Sequence, residues 1–200
     1  AVVTRGEKED ACLAVSTALK MLEKLQQLNV GWKERSLPAL RIGLGLNYGQ
    51  VVCAHLGAQD RYEYTAIGDQ VNLASRLEGA TKALHLEMLI GETMAPLVGE
   101  RFILRTADLL KVVGKTRPVE VFTVLGERKD TPEPEWLAKY EEGVRLYRER
   151  KFNDAKHALE AADAKNPDDW MIREYLRRCR TFLVMPPGPE WDGVFVMEKK

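Results

Sequence analysis

The chain has 200 residues, 45% of them hydrophobic and 30% charged, a balance that fits a folded globular protein and excludes a disordered one. Lys plus Arg and Asp plus Glu number 30 each, so the net charge is zero, which leaves no electrostatic footprint for nucleic acid or an anionic membrane. No apolar run approaches the ~18 residues of a membrane span and no signal peptide is visible, while three scattered cysteines (Cys12, Cys53, Cys179) and three unspaced histidines (His55, His85, His157) form neither a disulfide framework nor a metal cluster; the expected location is a reducing cytoplasm.

The chain opens Ala1-Val2-Val3 rather than on Met, which reads as a fragment. From Ala11 to Leu28 the residues Cys12, Val15, Leu19, Leu22 and Leu25 recur at helical spacing, with Lys20, Glu23 and Lys24 facing away. This predicts an amphipathic helix. Leu40, Ile42, Leu44 and Leu46 alternate with polar or small residues, which predicts a half-buried strand. Gly43 and Gly45 fall on one face of it, where a neighbour must approach closely. Asn47 to Gln50 has turn chemistry, and Val51 to Leu56 reads as a second strand, so a hairpin is expected here.

Tyr64 to Ile67 reads as a short strand leading into a helix that runs to Leu84, with Asp69 as its expected N-cap. Met88 to Ile90 reads as a strand and Glu92 to Val98 as a short helix. Phe102 to Val113 and Val119 to Leu125 are two further strands joined by a Gly114 to Pro118 turn. Interleaved strands and helices with hairpin connections predict an α+β domain, one antiparallel ferredoxin-like sheet with helices on one face.

Residues 127–134, "ERKDTPEP", form a charged, Pro-bearing linker, and residues 135–200 read as a helical extension with a Pro-rich tail. In it, Gly143, Ala155, Leu159, Ala162 and Pro167 match the register of a tetratricopeptide-like repeat, although Lys139 stands where that pattern has Trp. A third helix, Asp168 to Leu183, and Trp191 are the expected covers for the apolar face that one repeat leaves open.

The helix from Asp69 to Leu84 has three faces. With Asn72 at zero and about 100° per residue, Leu73, Leu77, Ala80 and Leu84 cluster as a core face. Ser75, Glu78 and Lys82 face solvent, and Asn72, Arg76, Gly79 and Ala83 form a narrow stripe between. Two hydrogen-bonding side chains stacked one turn apart, behind Thr65 and next to a helix N-terminus, suit an anion, a sugar hydroxyl, or both. On spacing alone, a capping or surface role accounts for them as well.

The stretches "RIGLGLNYGQVV" and "LGAQDRYEYTAIGDQVNLASRLEGATK", continued by "RPVEVFTVL", resemble the class III adenylate and guanylate cyclases. The likeness covers the later part of such a catalytic domain, assigning residues 1–126 to it, and the repeat followed by "PPGPEWDGV" resembles the C-terminal region of sensor-linked bacterial cyclases. The resemblance implies conversion of ATP to cyclic AMP and pyrophosphate by a homodimer. It implies that Asn72 orients the ribose, that Arg76 stabilises the pentacovalent phosphate, and that Thr65 sits where the purine is read, a small hydroxyl there being usual for ATP. It also implies two Mg²⁺ or Mn²⁺ ions. Their Asp ligands and the purine-reading Lys belong to an upstream part of the domain, and Asp60 and Asp69 do not match them. Val113 stands where a phosphate-binding Lys is usual, so Lys111 or Lys115 is the expected substitute, a solvated role being the alternative for either. Ala54 and His55 replace a Gly-Asn pair.

Two other readings stay open at this point. One is a guanylate cyclase. The other is a non-catalytic scaffold that docks a protein partner through the repeat-like segment and its aromatics Trp136, Tyr140, Tyr147 and Trp191.

Overall fold

The computed structural model describes residues 6–56, 63–111 and 117–194. The elements are α1 (Glu7–Glu34), β1 (Leu44–Leu46), β2 (Val52–Leu56), β3 (Glu63–Ile67), α2 (Asp69–Ala83), β4 (Met88–Gly91), α3 (Ala95–Val98), β5 (Phe102–Leu110), β6 (Val119–Glu127), α4 (Leu137–Arg148), α5 (Phe152–Asp163) and α6 (Trp170–Val184). The class is α+β, as expected. None of the described helices is long and apolar enough to cross a membrane.

The sheet runs β1-β4-β6-β5 and is mixed: β1 and β4 are parallel, and the other pairs are antiparallel. The expected β1–β2 hairpin does not form. β2 pairs with β3 as a separate two-stranded ribbon, with Ala54 opposite Thr65. A parallel pair needs a crossover connection, usually a helix, and α2 supplies it. The turn residue that was to fold β2 back is used elsewhere, because Asn47 donates from its amide to Gln70 Oε1 of α2 at 2.6 Å. The strand predicted from Leu40 also starts later, at Leu44. Asn29 of α1 bonds both the N–H and the carbonyl of Leu40, and so removes that residue from the sheet.

Helices occupy both faces of the sheet, because neighbouring residues of β4 point to opposite sides. Met88 and Ile90 pack with Cys12 and Val15 of α1 and Val98 of α3. Leu89 packs with Leu73 and Leu77 of α2 and with the helical extension. The glycine face of β1 is where α2 comes close. A Cβ on Gly45 would lie 2.1 Å from the Ala74 carbonyl oxygen, and one on Gly43 would lie 2.3 Å from Thr81 Oγ1.

The helical extension is continuous with the core of the sheet. Gly143 lets α4 and α5 touch, since a Cβ there would lie 2.5 Å from Leu159 Cγ. α6 covers the pair as expected, and Trp191 is half-buried against Tyr147, Phe152 and Phe182. The opposite side of the bundle rests on β5, the edge strand. Tyr140 donates to the Thr106 carbonyl at 2.7 Å, Tyr175 donates to that of Ala107 at 3.1 Å, and Glu141 accepts from the Thr106 N–H at 2.7 Å. These bonds use backbone groups that an edge strand otherwise exposes. The aromatics expected to dock a partner are therefore largely consumed inside the chain: Tyr140 and Tyr147 are fully buried, and Trp136 lies against Arg105.

Two ion pairs built on a buried arginine lie in this interface among the described residues. Arg105 makes two bonds to the Asp169 carboxylate, at 2.7 and 2.5 Å. Arg178, fully buried, donates to Asp108 at 2.8 Å and to Glu174 at 2.9 Å. Burial opposes the charge on Arg178, but Asp108 beside it holds the guanidinium well above its ordinary pKa. At the far end of α2, His85 stacks on Trp170 with ring centroids 4.5 Å apart, which joins that helix to α6.

Candidate functional site

α2 is built by a core face and an entry glycine. Leu73, Leu77 and Leu84 are buried on the sheet. The N-cap is Gly68 rather than Asp69, with φ at 150°, and no side chain caps the helix. The backbone enters through a conformation that favours glycine, and Asp69 falls inside the first turn, where a carboxylate complements the helix dipole. Val71 and Asn72 both direct their N–H groups at the Gly68 carbonyl, at 3.1 Å.

Asn72 and Arg76 stand one turn apart on the outer side of α2, and both are exposed, as are Gly79 and Ala83. The stripe lies on the open face rather than at the border of the core. A Cβ on Gly79 would meet nothing within 4 Å. The outer face of α2 is thus a polar pair followed by a smooth, small-residue strip.

Thr65 lies in the middle of β3, half-buried, and the chain passes from it through Ile67 and Gly68 directly into α2. By the period of two, Thr65 shares a ribbon face with Ile67, which is 45% exposed. The structure therefore brings together Asn72 and Arg76 on one helix, with Thr65 on the strand that delivers it. Lys111 is exposed just past the end of β5, on the opposite edge of the sheet from β1. Lys115 lies outside the described residues.

One anchoring residue was missed by the sequence reading. The sequence reads Asn47 as turn chemistry, yet it ties three segments together beside the start of α2. Besides its bond to Gln70, its Oδ1 lies 3.2 Å from Thr93 Oγ1 and shares that hydroxyl's one proton with the nearer Tyr48 carbonyl, at 2.6 Å. Gly91 makes room for it, since a Cβ there would lie 2.3 Å from Asn47 Oδ1. The available signal was an amide residue ending an apolar strand, followed within two positions by glycine.

Among the described residues, no three His, Cys, Asp or Glu side chains gather as a donor set for a metal ion. The side chains of this site, Thr65, Asn72 and Arg76, include no carboxylate to hold a divalent ion.

Residues 2–126 match the family described as the adenylate and guanylate cyclase catalytic domain. A terminal-differentiation-specific adenylate cyclase of Dictyostelium discoideum is 30% identical over 178 residues, covering 86% of this chain and 8% of that protein. That match is longer than the family match, so it runs on into the helical extension. An adenylate cyclase of Anabaena cylindrica is 36% identical over 121 residues, 56% of this chain and 24% of that one. The chain thus spans less than a quarter of the length of these relatives. Among solved structures, an adenylyl cyclase of P. aeruginosa superposes with a TM-score of 0.59 at 32% identity, covering 65% of this chain and 66% of that one. A guanylyl cyclase superposes with a TM-score of 0.52 at 27% identity, covering 62% of each chain.

Proposed function

This chain belongs to the adenylate and guanylate cyclase catalytic domain family, and from that membership we propose that the polypeptide carrying it is an adenylate cyclase, forming cyclic AMP and pyrophosphate from ATP as a homodimer. The observation that carries the reading is the exposed pair Asn72 and Arg76, one turn apart on α2 and directly behind the strand that holds Thr65.

The roles follow from the side chains. Closing a 3′,5′-cyclic phosphate requires the ribose oxygen and the α-phosphorus to be held in line, and it requires charge stabilisation as pyrophosphate leaves. Asn72 can donate and accept toward a sugar at once. Arg76 carries a permanent, planar charge with several donors, suited to the oxygens of a phosphorus that passes through five bonds. Thr65 offers a small hydroxyl toward the base, which favours adenine over guanine. Lys111 is the candidate phosphate contact on the β5–β6 arm. The two divalent ions implied by the resemblance have no ligands assigned in this chain.

The relatives named adenylate cyclases support ATP, while the family and the solved structures include guanylate cyclases. Equimolar ATP and GTP offered together to the polypeptide with its whole catalytic domain decide the base through the ratio of kcat/KM values. Cyclic AMP as the main product is expected. Cyclic GMP as the main product would overturn the assignment of Thr65, and no cyclic nucleotide at all would favour the non-catalytic scaffold.

A further inference from the structure

The β5–β6 arm is gripped at its root by the helical extension, across two successive residue pairs. The first pair is Asp108 opposite Val121, and Asp108 accepts from the buried Arg178 of α6. The second is Leu109 opposite Glu120, and both members are held. Glu120 accepts from Arg148 Nη1 at the end of α4. Leu109 meets the C-terminal tail at Gly193, where an added Cβ would lie 2.9 Å from Leu109 Cδ1 and 4.0 Å from Arg148 Cγ. Only Leu110 opposite Val119 remains before the arm passes to Lys111.

The tail is itself strapped down. Arg150 donates to the carbonyls of Gly188 and Pro187, at 2.9 and 2.5 Å. Trp191 sets its ring edge-on to Tyr147 at 5.2 Å, and its Nε1 donates to the Val194 carbonyl at 2.9 Å. Gly193 turns between these points with φ at 87°, a conformation that a Cβ would strain. The end of α4, the middle of α6 and the tail therefore converge on one spot, the arm root.

The energetics separate this grip from simple core packing. Arg148 and Glu120 are 25% and 33% exposed, and a partly exposed ion pair contributes little to stability. Its directional bonds do fix geometry, and beyond Val121, the last residue of β6 opposite β4, the strand is held on that side through Glu92, which accepts from the Glu120 N–H at 3.4 Å and from Arg117 at 3.0 Å. We propose that α4, α6 and the tail form a clamp that sets the direction of the β5–β6 arm, and that Arg148 is a positioning residue acting through the arm on Lys111. The clamp rests on these contacts alone. The consequence for Lys111 rests on the cyclase reading.

Hydrogen exchange on this chain tests the clamp. In Arg148→Ala, the amides of Leu109, Leu110, Val119 and Glu120 should exchange on the order of tenfold faster, while those of α2 and β4 stay within about twofold. Glu120→Ala removes the same contact from the other side and should give the same local signature, and Arg148→Lys should restore much of the protection. An unchanged root, or acceleration spread evenly over the chain, would overturn the clamp. In the polypeptide with its whole catalytic domain, Arg148→Ala should raise KM for the nucleotide roughly 5–10-fold with kcat within about twofold, and Arg148→Lys should rescue it. Faster exchange with an unchanged KM would overturn the positioning role. A wild-type polypeptide with no cyclase activity would instead defeat the cyclase reading, and the exchange result alone would then judge the clamp.

Discussion

Arg76 and Arg178 are the same side chain on two helices of one chain, with opposite surroundings. Arg76 stands on the outer face of α2, exposed to water. Arg178 is wholly buried between α6 and β5, bonded to two carboxylates and lying over the Tyr175 ring at 4.9 Å. A charge taken out of water must be compensated by its neighbours, so the place of Arg178 is dictated by the fold. Arg76 lies instead at the surface, within the segment that matches the catalytic family. The interface around Arg178 holds the fold together, and the outer face of α2 is where the proposed function puts its chemistry.

The largest effect expected from breaking this contrast is on stability. Arg178→Met leaves Asp108 buried without its cation and should cost about 3–5 kcal/mol. Pairing it with Asp108→Leu should recover most of that loss, because no uncompensated charge remains. Denaturant unfolding of the two variants measures both numbers. A single variant as stable as wild type would show that the interface does not hold the charges tightly.

A smaller effect is expected where α2 meets β1. Gly45→Ala would place a Cβ against the Ala74 carbonyl and 2.4 Å from the Glu78 backbone nitrogen, neither of which can swing aside. The whole helix must shift, at a cost of about 1–3 kcal/mol. Because α2 carries Asn72 and Arg76, this variant sharpens the comparison: activity should fall further than the lost stability alone explains. Equal losses would mean that the outer face tolerates movement.

How much of this was legible in the sequence follows from the range of each interaction. The faces of α2 were legible, because Leu73, Leu77 and Leu84 repeat at the period of the helix itself. The close approach at Gly43 and Gly45 was legible too, since two glycines on one strand face require a neighbour. The partner of β1 was not. Alternating apolar residues fit a hairpin or a parallel crossover equally, and Asn47, which settles the matter, binds a residue 23 positions away. The buried charges of β5 were hidden for the same reason. The local pattern does not mark Arg105 or Asp108 as buried, because their partners lie 64 and 70 residues further on. The helix angles single out Asn72 and Arg76 behind Thr65, but a surface role accounts for them as well, and only the family resemblance gives them chemistry.

The most direct test of the contrast is Arg76→Ala in the polypeptide with its whole catalytic domain, measured for turnover and thermal unfolding together. An exposed side chain outside the core should change stability by less than about 0.5 kcal/mol. Losing a charge that meets the transition state should lower kcat by roughly 10²–10³. A variant that keeps its melting temperature and loses turnover by that factor is the predicted result. A variant with near-normal turnover, or one that unfolds, would contradict the account.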